Sequence, residues 1–308
     1  MEASITFKSV AKKNNDDTLL ADLSFGVEKG TRFSLIGTNG SGKSVILKLI
    51  SGIISNDKGS IYVKGHDINI RTNEIKSLIG YMSQESDLDK SLSVFENILI
   101  SGRIFGLNKD EISKRINLLS KTLNFDKYLN AMPSELSYGL LRVVMFCKSI
   151  IHNPEIILLD EPTTNVDPIY KEKIWEFILN ELGDKTILFT SNNFEDAQKY
   201  SHRIAILHQG IIKYNGTFDY LVKNTHGLAR FSIVYKNRIP DQLIKNISLN
   251  PKIIDLKTAD NKLSFYSVDK DEYFKILKFS LDSEINDIDI SKCSLEDIFK
   301  RINFEDSE

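Results

Sequence analysis

Apolar and polar positions alternate along this chain with two different periods. Through about residue 36 the period is two: Ile5 to Val10, Leu23 to Val27 and Arg32 to Ile36 read as short strands, with Lys29-Gly30 as a turn. A helix from Lys43 to Ser51 follows, then a strand from Gly59 to Val63 turned by Gly65, and another near Ile79 to Met82. From Val94 to Ile151 the apolar spacing lengthens to about 3.6 residues, through Val94, Ile98, Ile104, Ile112, Ile116, Leu119 and Leu123, which predicts a helical insertion. Strands at Ile156 to Leu159, Thr186 to Thr190 and Ile204 to Leu207 then alternate with helices at Tyr170 to Leu182 and Phe194 to Tyr200. That order implies parallel βαβ units. Beyond about Tyr220, residues 229–235, 252–256 and 262–267 read as strands and 271–281 and 294–303 as helices, a compact α+β appendage.

Composition narrows the function classes. The chain has 308 residues, 41% of them hydrophobic, enough to bury a sizeable core. A formal charge of −2 supplies no general basic field, so no nucleic-acid partner is expected. Cys147 and Cys293 stand far apart, without a CxxC or a Cys/His cluster, so neither a disulfide framework nor a structural zinc is indicated. The opening MEASITFKSV has no signal-peptide pattern, and no stretch approaches the ~20 apolar residues of a membrane span. The longest apolar run, Leu140 to Ile151, is interrupted by Arg142 and Lys148. The expectation is a chain in the cytoplasm that acts at a membrane only through another chain.

Two motifs carry chemistry. Gly37, Thr38, Asn39, Gly40, Ser41, Gly42, Lys43 and Ser44 match GxxxxGK[ST], after the apolar strand Phe33 to Ile36 and before a helix. Glycines let backbone N–H groups turn inward around phosphates, and the helix N-terminus adds positive dipole. Lys43 reaches the outer phosphates and Ser44 ligates Mg²⁺, so ATP with Mg²⁺ is the expected ligand. A glycine-rich turn capping a helix is the bland alternative, and the strand before the motif and the helix after it weigh against it. The strand Ile156 to Leu159 ends in Asp160 and Glu161. One carboxylate at such a strand end holds Mg²⁺ and the second activates water; Asp160 takes the first role and Glu161 the second. Taken alone, the pair also fits two solvated acids opening a turn.

These residues resemble the nucleotide-binding domain of an ABC transporter, over about residues 4–220. Gly80-Tyr-Met-Ser-Gln84 resembles the Q-loop, Glu135-Leu-Ser137-Tyr-Gly139-Leu140 the signature, and Thr164-Asn-Val-Asp167-Pro168 the D-loop; Arg203 to Gly210 is similar to the last core strand. The resemblance implies an α/β P-loop NTPase of ABC type: a mixed-sheet core, an antiparallel β subdomain and a helical subdomain at about 85–152. Residues 1–220 would form this domain and 221–308 a small C-terminal α+β accessory domain. It further implies a dimer sandwiching two ATP molecules. Gln84 would sense the Mg²⁺ site and, with residues 85–106, receive separate membrane permease subunits, while Ser137 and Gly139 would face the other protomer's ATP. The tail from Ser294 to Arg301 resembles ATPases of exporters, which implies export of a hydrophobic or peptide-like substrate from the cytoplasmic face of the membrane.

Three departures bear on mechanism. Asn14, in the polar Lys12-to-Asp17 loop, stands near the place of the aromatic that stacks on adenine. Tyr138 and Leu140 replace a glycine and a glutamine of the signature. Asn192 stands where the family has its switch histidine; asparagine hydrogen-bonds phosphate but does not titrate. A homodimer would carry the signature and switch departures in both sites, a heterodimer one in each. The expectation is therefore pairing with a different ATPase chain, or slow hydrolysis. A nucleotide-gated regulatory subunit that holds ATP with little turnover is the alternative.

Overall fold

The computed structural model describes residues 3–15, 17–70, 72–224, 229–239, 241–250, 252–267 and 285–305. The chain divides into two compact units, Met1–Asn215 and Gly216–Glu308.

The first unit opens with a long hairpin, β1 (Ala3–Asn14) and β2 (Asp17–Glu28). It continues through β3 (Arg32–Gly37), α1 (Lys43–Ile50), β4 (Lys58–Val63), β5 (His66–Asp67), α2 (Thr72–Leu78) and β6 (Ile79–Met82). Helices α3 (Val94–Ile104), α4 (Lys109–Thr122) and α5 (Tyr138–Ile150) form the insertion. Then come β7 (Ile156–Leu159), α6 (Pro168–Glu181), β8 (Thr186–Ser191), α7 (Phe194–Tyr200), β9 (Arg203–His208) and β10 (Ile211–Gly216). The central sheet runs β10-β9-β3-β8-β7-β6, and its pairs β9/β3, β3/β8, β8/β7 and β7/β6 are parallel. A second, antiparallel sheet runs β2-β1-β4-β5.

The central strands are buried on both faces, as parallel strands flanked by other layers must be. Ile157, Leu159, Ile187 and Phe189 join the helical insertion, with Val143, Phe146 and Trp175, in one core. Ile156, Leu158 and Leu188 point the other way, into a core shared with α1 and the antiparallel sheet. The expected helical stripe forms, with Val94, Ile98, Ile112, Ile116 and Leu123 buried. Ile104 is the exception at 77% exposed. Ten residues beyond Val94 at about 100° each, it lies about 80° off the stripe.

The expected polar loop at Lys12 to Asp17 is instead mostly strand. β1 runs on to Asn14, which pairs with Asp17. The Asp57 carboxylate explains the extension, accepting from the Lys13 N–H at 2.7 Å and from the Lys12 ammonium at 3.0 Å.

His152 is pinned behind α3. Its Nε2 donates to the Ile79 carbonyl at 3.1 Å and its ring stacks on Phe105 with centroids 3.6 Å apart. Burial first, then the nearby Arg115 charge, pushes its pKa down to about 4. Between there and the ordinary value of about 6.5 the unfolded chain binds the proton more strongly, so acidification through that window destabilises the fold. The contribution is complete above about pH 6.5. Apparent melting temperature measured from pH 7 to 4.5 is expected to fall less steeply in His152→Gln than in wild type; parallel curves would contradict this.

The second unit contains α8 (Phe218–Asn224), β11 (Ala229–Tyr235), α9 (Asp241–Ser248), β12 (Ile253–Ala259), β13 (Lys262–Ser267), β14 (Ile285–Lys292) and α10 (Leu295–Glu305). Its sheet order is β12-β13-β11-β14. Phe231, Ile233, Leu263 and Phe265 form its core with Leu243 and Ile247 of α9. The strand β14 and the helix α9 were not expected from the sequence, and the expected helix at 271–281 lies outside the described residues. In α10, Leu295, Ile298 and Phe299 are buried, as an amphipathic terminal helix requires.

Candidate functional site

The glycine-rich loop leaves β3 and enters α1. At Gly37 a Cβ would sit 2.3 Å from the Leu207 carbonyl oxygen, and Gly42 holds φ at +105° with Leu20 2.7 Å from where its Cβ would lie. Neither position admits a side chain without rearrangement. No side chain caps α1, so its first N–H groups remain open to an anion. The Lys43 ammonium folds back to donate to the Gly37 and Thr38 carbonyls at 2.8 and 3.0 Å. Burial lowers its pKa, and the charges of Glu161 and Asp160 oppose that shift.

Asp160 and Glu161 leave the end of β7, 1% and 7% exposed. Thr190, from neighbouring β8, donates to Asp160 Oδ1 at 2.7 Å and accepts the Glu161 N–H at 2.8 Å. Asp160 Oδ1 also accepts from Ser44 Oγ at 3.1 Å, joining the glycine-rich loop to the strand end. Glu161 takes a left-handed φ of 49°, uncommon for a side chain of its size and typical of functional turns. Its two carboxylate oxygens have separate donors: Gln84 Nε2 at 3.3 Å to one and Asn192 Nδ2 at 2.7 Å to the other. Asn192 Nδ2 donates also to Asn39 Oδ1, at 3.1 Å.

Of these groups Asn39, Lys43, Ser44, Gln84, Glu161 and Asn192 line one cleft of about 480 Å³, whereas buried Asp160 and Thr190 are not part of the lining. Leu19 of β2 forms its apolar wall, whereas Asn14 is not part of the lining. Ser137 and Gly139 also lie outside it. Ser137 caps α5 by accepting the Leu140 N–H at 3.3 Å, and a Cβ on Gly139 would meet Asp167 Oδ2 at 2.5 Å. The intervening Tyr138 is 50% exposed.

Sequence reasoning passed over Thr190 and Arg142. The signal for Arg142 was its place inside an apolar helix, where an unpaired charge is untenable. It is 1% exposed and donates to four carbonyls: Ser83 at 3.0 Å, Gln84 at 2.6 Å, Asp160 at 3.0 Å and Glu161 at 2.7 Å. One guanidinium thus fastens the segment bearing Gln84 to the strand end bearing Glu161.

Ser44 Oγ and Asp160 Oδ1 stand 3.1 Å apart, and Gln84 lines the same cleft as Ser44; these are hard oxygen donors of the kind that hold Mg²⁺. Among the described residues no group of three His, Cys, Asp or Glu side chains stands ready for a metal.

A family model described as "ABC transporter" matches residues 20–164. The Nod factor export ATP-binding protein I of Paraburkholderia xenovorans (strain LB400) is 30% identical over 302 residues, 98% of this chain and 97% of that protein. The chain belongs to the ABC transporter family, as an ATP-binding subunit. A protein of the same description from Burkholderia thailandensis is 34% identical to this ABC subunit over 209 residues, 68% of this chain and 69% of that one. A solved ATP-binding subunit of an ABC transporter superposes with a TM-score of 0.67 at 25% identity, over 72% of this chain and 92% of that one. A dimeric bacterial ABC cassette gives 0.64 at 25% identity, over 69% and 98%. The same cassette is solved with ADP and Pi after hydrolysis. The ABC P-loop fold expected from the motifs is therefore the fold of this subunit, an ATPase coupled to transport. ABC subunits of this kind dimerise and work with membrane permease components. Among the described residues, no helix is long and apolar enough to cross a membrane.

Proposed function

We propose that this ABC subunit hydrolyses MgATP at the Lys43–Glu161 cleft to drive export through separate permease subunits, held at the cytoplasmic face of the membrane. The observation that carries the reading is the Glu161 carboxylate suspended between two amides, in the cleft that Lys43 and Ser44 also line. Residues 37–44 cradle the phosphates, with Lys43 exchanging its two loop carbonyls for phosphate oxygens. Ser44, Gln84 and Asp160 would hold Mg²⁺, which supplies charge neutralisation for the terminal phosphates. Glu161 accepts the proton of the attacking water, and Asn192 contacts the γ-phosphate without carrying charge. Ser137 and Gly139 serve the ATP of a second nucleotide-binding subunit; their place outside the cleft supports that role.

Tyr138, Leu140 and Asn192 favour a partner that is a different ATPase chain, because one composite site would then lack the switch departure. For the permease, a groove of about 680 Å³ lined by Ile53, Tyr81, Ile104, Phe105 and His152 offers exposed apolar surface for a short helix. Export is supported by the relatives named for Nod factor export. A hydrophobic or peptide-like cargo follows from the exporter-like tail. The second unit would be an accessory domain.

The test is phosphate release by the purified chain, alone and with co-purified subunits, beside Lys43→Ala. Lys43→Ala is expected to weaken ATP binding at least about tenfold, the loss of one charge-assisted contact to phosphate, and to abolish turnover. ATP held tightly without turnover until another ATPase chain is added would support the heteromeric form. Unaltered binding by Lys43→Ala would remove the cleft as the nucleotide site.

A further inference from the structure

β7 stays paired with β8 only as far as Leu159, which lies opposite Phe189. The next N–H, of Asp160, still donates to the Met82 carbonyl of β6 at 2.9 Å. At Glu161 the chain turns to its left-handed φ of 49°, and the N–H donates to a side chain instead, Thr190 Oγ1 at 2.8 Å. A residue of this size keeps that conformation only where its surroundings fix it. Here Thr190 holds the Glu161 N–H and Arg142 holds the Glu161 carbonyl, so both backbone polar groups of the residue are fastened.

The Thr190 hydroxyl has one proton to give, and Asp160 Oδ1 receives it at 2.7 Å. Ser44 Oγ donates to that same oxygen at 3.1 Å, so two donors occupy Oδ1 and Oδ2 is left for the shell of an ion. Thr190 is 0% exposed, which keeps water from replacing its hydroxyl, and it is not part of the cleft lining. It therefore reaches both carboxylate-bearing residues from behind the cleft. From this geometry we infer that Thr190 is a positioning residue for hydrolysis: one hydroxyl sets the Asp160 carboxylate for Mg²⁺ and holds the left-handed backbone that presents Glu161. This rests on the roles proposed for Asp160 and Glu161.

The test compares Thr190→Val, which keeps the shape and loses the hydroxyl, with Thr190→Ser, which keeps the hydroxyl and loses a methyl, in the chain with its partner subunits. The readouts are kcat at saturating MgATP, Kd for ATP with Mg²⁺ and with EDTA, and apparent melting temperature. Thr190→Val is expected to lower kcat about 10-fold and to weaken MgATP binding at least about threefold while Kd in EDTA stays within about twofold, the scale of one buried hydrogen bond to a charged group. Thr190→Ser is expected to keep kcat and the Mg²⁺ response within about twofold of wild type even where the lost methyl lowers its melting temperature. Thr190→Ala takes the place of the valine variant if that one does not fold. Losses that follow the melting temperature across the variants would mark a purely structural residue and overturn the inference, as would a hydroxyl-free variant with the wild-type response to Mg²⁺. The binding readouts decide the matter even where the assembly turns over slowly. Turnover that survives Glu161→Gln, or a Mg²⁺ response that survives Asp160→Asn, is a separate failure, of the roles proposed for those carboxylates.

Discussion

Glu161→Gln is expected to reduce kcat for MgATP by about 10²- to 10⁴-fold, the usual worth of a positioned general base, while ATP binding persists. The substitution keeps the size of the side chain and removes its charge and its basicity. Gln84 and Asn192 each present an N–H to Glu161, and a glutamine offers only one oxygen, so one of those amides must turn away. That costs about one ordinary hydrogen bond. In compensation, loss of a negative charge beside buried Asp160 relieves like-charge repulsion. The fold should therefore tolerate the change, and the effect should fall on the chemical step. Phosphate release at saturating ATP measures it, with nucleotide affinity measured in parallel. A change in kcat below about threefold would assign water activation elsewhere.

The parts of the site legible in the sequence are those whose chemistry is written in consecutive residues. The run from Gly37 to Ser44 announces a phosphate cradle because each residue type answers a local geometric demand, and Asp160-Glu161 is readable because an apolar strand delivers it. Thr190 was not readable, since its role depends on sheet register: β8 must lie between β3 and β7 before its hydroxyl can touch Asp160 and the Glu161 N–H. The alternating strands of the central sheet were plain because their burial on both faces produces continuous apolar runs. In the second unit, β14 reads Ile-Asn-Asp-Ile-Asp-Ile-Ser-Lys, and its acidic residues mask the alternation. Helix α9 has only eight residues and, unlike the comparably short α1 and α7, no phosphate-loop motif or alternating strand order beside it to mark it. The hairpin extension through Lys12 and Lys13 depends on Asp57, more than forty residues away, and no local pattern reports such a partner.

Arg142 is where stability and function meet, and its replacement carries the other large expected effect. Truncation to alanine removes donors from the buried carbonyls of Asp160 and Glu161 and from the part-buried carbonyls of Ser83 and Gln84. Unmet buried acceptors together with lost packing place the cost on the order of 3–5 kcal/mol, or a fall of about 10 °C in apparent melting temperature for a unit of this size. Arg142→Lys retains the charge, but one ammonium on a flexible stem presents three donors from a single point, against a planar fork that here reaches two separate segments. It is expected to recover part of the stability and little of the geometry. The functional signature should therefore separate the two variants: in Arg142→Lys, kcat falls further than ATP affinity, because Lys43 and the phosphate loop are untouched while Gln84 is no longer held against Glu161. Thermal unfolding and steady-state kinetics on the same preparations test this. A loss under about 2 °C for Arg142→Ala, or a lysine variant that loses ATP affinity and turnover equally, would show that the four carbonyl bonds neither hold the fold nor set the spacing between Gln84 and Glu161.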